Sequence, residues 1–157
     1  MDVRGLMRQS AAFNARRTAI VHGDTRLTFA EAWTRGKRLA NGLLAMGLRP
    51  GDRVGVLEDN SVEAQDLFAG AAIAGLVRVP LYARNSPESH EHMLGHTGCR
   101  ALVIAEKYVP DVRDVVDRLP GLTTVFVRDA SYESWLAAQS NVDPDVPIDP
   151  DDWFIIR

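Results

Sequence analysis

Beyond residue 52 the sequence alternates short apolar runs with segments of helical periodicity, and this alternation constrains the fold more than any other feature. The apolar runs predict strands at Arg53–Leu57, Val77–Leu81, Arg100–Ala105 and Thr123–Val127. Strands that alternate with helices of this length form crossover units, which pack into a mostly parallel sheet. We therefore predict an α/β fold: a mostly parallel, doubly wound sheet that is flanked by helices on both faces.

The N-terminal segment predicts a helix, a small β-hairpin and a second helix. The first helix is expected over Val3–Arg16 and the hairpin over residues 19–29. Thr28 and Glu31 have the spacing of a capping box, in which a hydroxyl and a carboxylate each accept a hydrogen bond from a free backbone N–H. The second helix therefore begins at Thr28, and Gly47 closes it.

Further helices are predicted from cap residues and periodicity. Asn60 or Ser61 caps a helix that runs to Ala74. This helix is apolar nearly all round, which suits burial between a sheet and a further layer of protein. The remaining helices are expected over residues 86–98, 109–119 and 131–139.

The C-terminal segment combines an acidic, proline-containing linker with a dense apolar run. The linker covers residues 140–152, and the run Trp153–Ile156 predicts a terminal strand that enters a buried sheet. Trp153 and Trp33 both occupy apolar-periodic positions and are predicted to be core residues. Residues 1–157 are expected to form a single α/β domain, because this length suits one hydrophobic core.

Composition and charge exclude several classes of protein. A formal net charge of -3 lacks the clustered basic excess of nucleic-acid-binding proteins, so no nucleic-acid partner is expected. We find no apolar run long enough for a transmembrane segment and no pattern of a signal peptide. The single cysteine, Cys99, excludes an internal disulfide and suits a cytoplasmic location, where we expect it as a small buried apolar residue.

Few patterns in the sequence indicate chemistry. Neither GxGxxG nor GxxxxGK[ST], the phosphate-binding glycine motifs, follows a predicted strand. His92 and His96 are four residues apart and lie near His90, a spacing that could bind a metal ion. A zinc site needs a third ligand and an orienting set of partners, so these histidines are interpreted as residues of an amphipathic helix rather than as a metal site. The aspartates of residues 143–152 lack the glycine and distal glutamate of a calcium loop. Ser61 is favoured as a helix cap over a nucleophile.

Ligands of open α/β sheets bind beyond the carboxyl ends of the strands. The predicted strands place three segments at that side: Glu58–Ser61, Tyr82–Ser86 and Glu106–Tyr108. Whatever follows Arg157 would join them, after the predicted terminal strand.

Four stretches, in matching order and spacing, resemble the N-terminal part of the adenylate-forming enzymes, especially the acyl-CoA synthetases. They are LTFAEAWTRGKRLANGL, GLRPGDRVGVL, NSVEAQDLFAGAAIAGLVRVPL and SPESHEHMLGHTGCRALVI. The resemblance covers about residues 14–106 and continues more weakly to residue 157.

The resemblance implies a fatty-acid–CoA or related ligase that works in two steps. A carboxylic acid attacks the α-phosphate of ATP, with Mg²⁺ assisting, to give an acyl adenylate and pyrophosphate; a thiol, usually coenzyme A, then takes the acyl group. In that family the phosphate-binding loop with its lysine follows a strand that resembles DDWFIIR, so this chain would lack it. The resemblance therefore assigns no catalytic, cofactor-binding or metal-binding residue here. ATP, Mg²⁺ and coenzyme A would serve the parent enzyme, and the chain alone is expected to be an inert, truncated part.

Two departures from the family pattern and one alternative function stay open. Asp59 stands where the family often has a proline, and Tyr82–Asn85 replaces an asparagine-rich turn. Both lie at strand ends on the expected ligand side, so they could distinguish subgroups of acyl-activating enzymes, with ordinary loop variation as the simpler explanation. The alternative function is a self-contained α/β binding or interaction module without catalysis.

The expected partner of the chain is the remainder of the enzyme. Apolar surface at Val62–Ala74 and Trp153–Ile156 is expected to be exposed without it and to favour self-association.

Overall fold

The computed structural model describes residues 2–157, which fold as α-helices and β-strands in alternation after an N-terminal hairpin. The elements are α1 (Val3–Phe13), β1 (Thr18–His22), β2 (Thr25–Thr28), α2 (Phe29–Ala45), β3 (Arg53–Leu57), α3 (Val62–Ala74), β4 (Val77–Pro80), α4 (Pro87–His96), β5 (Cys99–Ala105), α5 (Val109–Asp117), β6 (Thr124–Arg128) and α6 (Tyr132–Ala138). The predicted α/β class and the N-terminal hairpin are both confirmed.

The described residues form a four-stranded parallel sheet in the order β4-β3-β5-β6, beside the antiparallel pair β1-β2. After β3 the chain crosses to β4 on one side, and it then returns to β5 on the other side of β3. The adjacent carboxyl ends of β3 and β5 are therefore the topological switch point of the sheet, where open α/β sheets bind ligands.

Side chains of the central strands alternate between two apolar cores, one on each face of the sheet. Val54 of β3 and Val103 of β5 pack with helices α2, α3 and α6 on one face. Leu102 and Ile104 of β5 pack with α4 and α5 on the other. All four side chains are fully buried. Helices therefore cover both faces, as the doubly wound fold predicts.

Helix α3 lies between the sheet and helices α1 and α2, which explains its apolar composition. Leu67 and Ile73 are fully buried. The expectation that α3 would be left exposed is therefore wrong, since helices of the same chain cover it. Other large apolar side chains are exposed instead: Leu6, Phe13, Val21, Tyr82, Val125, Val142 and Trp153.

Local signals in the sequence placed most helix ends correctly. The Thr28 side chain accepts from the Glu31 N–H at 3.3 Å, and the Glu31 carboxylate accepts from the Thr28 N–H at 2.8 Å, so the predicted capping box is confirmed. Ser61 caps α3 through a hydrogen bond from the Ala64 N–H at 3.1 Å. Gly75 ends that helix at φ +67°, a left-handed conformation that glycine adopts without a steric penalty.

The predicted terminal strand is reduced to one isolated parallel bridge between Ile155 and Arg78 of β4. The Arg78 N–H donates to Phe154 O, and the Ile156 N–H donates to Arg78 O, both at 2.9 Å. The next bond of such a ladder would come from residue 80, and Pro80 has no N–H to donate. Pairing therefore stops after one residue.

Trp153 precedes this bridge and is 67% exposed, so its prediction as a core residue is wrong. Phe154 takes the inward position instead, with its ring edge-on to Phe68 at 5.1 Å between centroids. Trp33 is half-buried and packs against the core, as predicted. Residues 140–152 contain no helix or strand.

No helix among residues 2–157 combines the length and the apolar character needed to cross a bilayer.

Candidate functional site

The carboxyl ends of β3 and β5 bring together two of the three segments predicted from the sequence. The Tyr108 hydroxyl donates to Asp59 Oδ1 at 2.6 Å, and the Lys107 ammonium pairs with Asp59 Oδ2. The same ammonium lies 4.8 Å from the centre of the Tyr108 ring. The third predicted segment, Tyr82–Ser86, follows β4 and forms a turn of its own, in which the Asn85 N–H donates to Tyr82 O at 2.9 Å.

Asp59 is held ionised by its neighbours at the switch point. Hydrogen bonds from Lys107 and then Tyr108 lower the pKa of Asp59, because both stabilise the carboxylate. Asp59 in turn raises the pKa of Tyr108, whose hydroxyl proton is engaged in the hydrogen bond. The side chains of Asp59 and Lys107 are solvent-exposed and Tyr108 is half-buried, so water screens the ion pair of this cluster.

A buried arginine at the end of β6 was not predicted from the sequence. Arg128 pairs with the carboxylate of Glu58 and donates to the backbone O of Glu63. The side chains of Arg128 and Glu58 are 4% and 7% exposed. Burial lowers the pKa of Arg128, and its guanidinium lies 5.3 Å from the centre of the Tyr132 ring. The pair thus joins the ends of β3 and β6 next to α6.

Arg35 of α2 connects three helices through two carboxylates. Its Nε and Nη2 donate to Asp66 of α3 at 2.7 and 2.6 Å, and its Nη1 and Nη2 donate to Glu133 of α6 at 2.8 and 2.6 Å. The Tyr132 hydroxyl also donates to Asp66, at 3.0 Å. Fork-shaped pairs of this kind are the strongest carboxylate contacts that arginine makes.

Asp66 is 1% exposed, and that burial raises its pKa, while the hydrogen bonds from Arg35 and Tyr132 act in the opposite direction. Burial and the neighbouring Asp66 charge also raise the pKa of Tyr132. Asp66 within a largely apolar helix is the sequence signal that could have revealed this network, because a buried carboxylate requires partners.

Some of these groups line a cleft of about 350 Å³ at the carboxyl ends of β3, β5 and β6, which we call the acidic cleft. Its lining contains five carboxylates and one arginine. The lining residues are Glu58, Asp59, Ser61, Glu63, Ala105, Arg128, Asp129, Ala130, Tyr132 and Glu133.

The histidines and the other residues singled out in the sequence do not assemble a metal site. The rings of His92 and His96 stack with centroids 5.5 Å apart on α4. Within residues 2–157 no group of three or more His, Cys, Asp or Glu side chains is arranged to hold a metal ion. Cys99 is buried, as predicted, and that burial raises the pKa of its thiol. The absence of catalytic, cofactor-binding and metal-binding residues from this chain stays a prediction.

His90 gives a testable dependence of stability on pH. It is 1% exposed, and its Nδ1 has no hydrogen-bond partner among residues 2–157. Burial lowers its pKa below the ordinary 6.5, with Asp111 acting weakly in the opposite direction. The folded state therefore binds fewer protons than the unfolded state, so stability is lost as the pH falls below the unfolded pKa.

We expect the urea midpoint of unfolding to decrease between about pH 7.5 and about pH 5.5, and His90→Leu to reduce this decrease because it removes the titrating ring. His92→Leu, an exposed position on the same helix, should leave the decrease unchanged. Equal pH profiles for the wild type and His90→Leu would contradict this assignment.

Comparisons with known proteins agree on one family. A sequence profile described as "AMP-binding enzyme" matches residues 7–156. A feruloyl-CoA synthase of Amycolatopsis is 35% identical over 86% of this chain. Long-chain-fatty-acid–CoA ligase FadD13 of Mycobacterium tuberculosis is 31% identical over 99% of this chain.

The fold comparison extends the same likeness to solved structures. The crystal structure of the N-terminal domain of FACL13 from Mycobacterium tuberculosis superposes with a TM-score of 0.89 at 30% identity. That match covers 99% of this chain and 41% of the crystallised domain. The chain spans only 26% of the feruloyl-CoA synthase and 32% of FadD13, so the matched portion is the N-terminal part of larger ligases.

Proposed function

The chain belongs to the AMP-binding enzyme family, and from this we propose that it is the N-terminal part of an ATP-dependent acid–thiol ligase. The continuous match over residues 7–156 carries the proposal. The reaction would join a carboxylic acid to ATP, releasing pyrophosphate and forming an acyl adenylate. A thiol such as coenzyme A would then displace AMP and give the thioester. The names of the relatives point to a fatty or aryl carboxylic acid as substrate.

Within residues 2–157 the side chains do not fit the phosphates of ATP or coenzyme A, or the Mg²⁺ that accompanies ATP. Phosphates bind where backbone N–H groups and cations converge, often at the start of a helix. Here the start of α3 is bordered by Glu58, Asp59 and Glu63, whose charges repel phosphate. Since residues 2–157 also hold no cluster that could bind a metal ion, we derive no step of adenylation from them.

The contribution of this chain would instead be a scaffold. The segment at Phe154–Ile156 runs parallel to β4, so Arg157 lies toward the carboxyl ends of the strands, at the β4 edge of the sheet. We propose that residues 1–157 are a single subdomain, that residues 140–152 are its linker, and that the chain alone is inert. Phosphate-binding and adenine-binding groups would then come from the rest of the enzyme.

Two further properties belong to this proposal. The exposed side chains of Leu6, Phe13 and Trp153 support self-association of the isolated chain, since they would otherwise meet protein. The buried, unpaired thiol of Cys99 supports a cytoplasmic location, because it forms no disulfide.

A self-contained interaction module is the second candidate, and the acidic cleft is the observation that favours it. The coding sequence after codon 157 discriminates between the two. A loop rich in glycine and threonine with a lysine supports the ligase, whereas a stop codon supports the module.

A further inference from the structure

We propose that a cavity between helices α1, α2 and α3 and strand β1 binds a small, neutral aromatic molecule that carries one hydrogen-bonding group. The cavity has a volume of about 280 Å³, and we call it the apolar cavity. It shares no lining residue with the acidic cleft, and no strand of the parallel sheet contributes to its lining. The proposal does not depend on the ligase function.

The walls of the apolar cavity favour an aromatic ligand. Three aromatic side chains, Phe29, Trp33 and Phe68, line it together with aliphatic and small residues. All three are half-buried, so part of each ring stays accessible. Aromatic rings pack favourably against one another in edge-to-face or offset arrangements, which an aromatic ligand provides and a saturated ligand does not.

The charge of the apolar cavity selects a neutral ligand. Among the described residues that line it, none is ionisable, and the polar side chains are those of Ser10 and Gln65. A charged group would lose hydration in this space without gaining a counter-ion. Gln65 is exposed, so its amide is accessible and can donate a hydrogen bond to a ligand or accept one from it.

Packing from outside the apolar cavity holds its walls in place. Phe68 is held by the ring of Phe154, which lies edge-on at 5.1 Å between centroids, and by the Arg78 guanidinium, 5.0 Å from the ring centre. Helices α2 and α3 also approach closely at Gly36 and Ala69. The cavity is therefore formed before a ligand arrives, and binding does not have to open it.

The size of the apolar cavity suits a bicyclic ring. An apolar cavity of about 150 Å³ can hold benzene, and small-molecule sites begin at roughly 300 Å³. The volume of about 280 Å³ lies near the lower end of that range. One free bicyclic molecule is therefore the occupant that we propose.

The test is a titration of the 157-residue chain with 2-naphthol, followed by amide chemical shifts. This neutral bicyclic molecule should give saturable shifts centred on residues 6–10, 19–20, 29–33 and 65–69. The anion 2-naphthoate has the same rings and should bind about tenfold more weakly or worse, because the cavity lining offers it no cation. Decahydro-2-naphthol, the saturated analogue, should also bind more weakly than 2-naphthol.

Two substitutions test the location of the site. Ala32 lines the apolar cavity, and Ala32→Leu should remove 2-naphthol binding without loss of the circular dichroism signal, since the added side chain fills the space. Ala30→Leu makes the same change at an exposed position of α2 outside the lining and should bind normally. Gln65→Ala should weaken 2-naphthol binding about fivefold, since it removes a hydrogen-bonding partner, and it decides the matter if Ala32→Leu does not fold.

Three results of the titration would overturn the proposal: no saturable shift with 2-naphthol, equal binding of 2-naphthoate or of the saturated analogue, or unchanged affinity in both cavity variants. A fourth result would overturn it without any ligand. If the shifts of the same residues varied with protein concentration, a second copy of the chain would cover the apolar cavity instead.

Discussion

Asp66→Ala should lower the free energy of unfolding by about 3 kcal/mol, because it removes one partner from a buried charged network. The substitution takes two hydrogen bonds from Arg35 and one from the Tyr132 hydroxyl. Arg35 is mostly buried and would keep only Glu133, and the buried Tyr132 hydroxyl would lose its acceptor. Urea unfolding followed by circular dichroism measures the change.

The matched control is Glu91→Ala. Glu91 also accepts two hydrogen bonds from a single arginine, Arg118, at 2.9 and 2.6 Å, but Arg118 is 49% and Glu91 is 32% exposed, whereas Asp66 is 1% exposed. Exposed pairs contribute little because water solvates the separated charges well. Similar losses for Asp66→Ala and Glu91→Ala would show that the Arg35 network does not stabilise the fold.

Gly36→Ala should destabilise the protein by about 2 kcal/mol, although the same change in an ordinary helix is stabilising. Helices α2 and α3 approach closely at Gly36, where an added Cβ would lie 2.6 Å from Ala69 Cβ and 3.2 Å from Ile73 Cδ1. Neither neighbour can swing away, since Ala69 has no further side-chain atoms and Ile73 is fully buried. The helices would have to separate.

Gly95→Ala is the control for this substitution. Gly95 lies on the exposed side of α4, and an added Cβ would contact only the end of the Leu119 side chain, at 3.3 Å. Helix propensity then favours alanine by up to about 1 kcal/mol. If Gly36→Ala were as stable as Gly95→Ala, the close approach of α2 and α3 would be wrong.

Helix ends and central strands could be predicted from the sequence because their signals are local. Thr28, Ser61 and Gly75 each act within their own turn, through a side-chain cap or a left-handed backbone. The strand Arg53–Leu57 has the bounds predicted from its apolar run. Such features do not depend on how distant elements meet.

The contacts of the candidate site could be predicted only in part, because they depend on helix crossings. Arg35 meets Asp66 and Glu133, which are 31 and 98 residues away along the chain. Nothing in the spacing of these residues specifies that they converge. The contact of Asp59 with the segment at Glu106–Tyr108 could be predicted from the sequence, because ligand sites of such sheets lie at the carboxyl ends of neighbouring strands.

The prediction of a terminal strand at Trp153–Ile156 was wrong for a different reason. Its apolar run was read correctly as a sheet-forming segment, but the partner strand supplies Pro80 where the ladder needs a donor. Pairing depends on both strands, whereas periodicity reports on only one.

The most direct measurement for the ligase proposal is ATP–pyrophosphate exchange with a panel of fatty and aryl acids. It should be made on the 157-residue chain and on the product of the complete coding sequence in parallel. We predict exchange by the complete product with at least one acid, and none by the chain alone. Exchange by the chain alone would contradict its inertness, and a complete product without exchange for any acid would contradict the ligase itself.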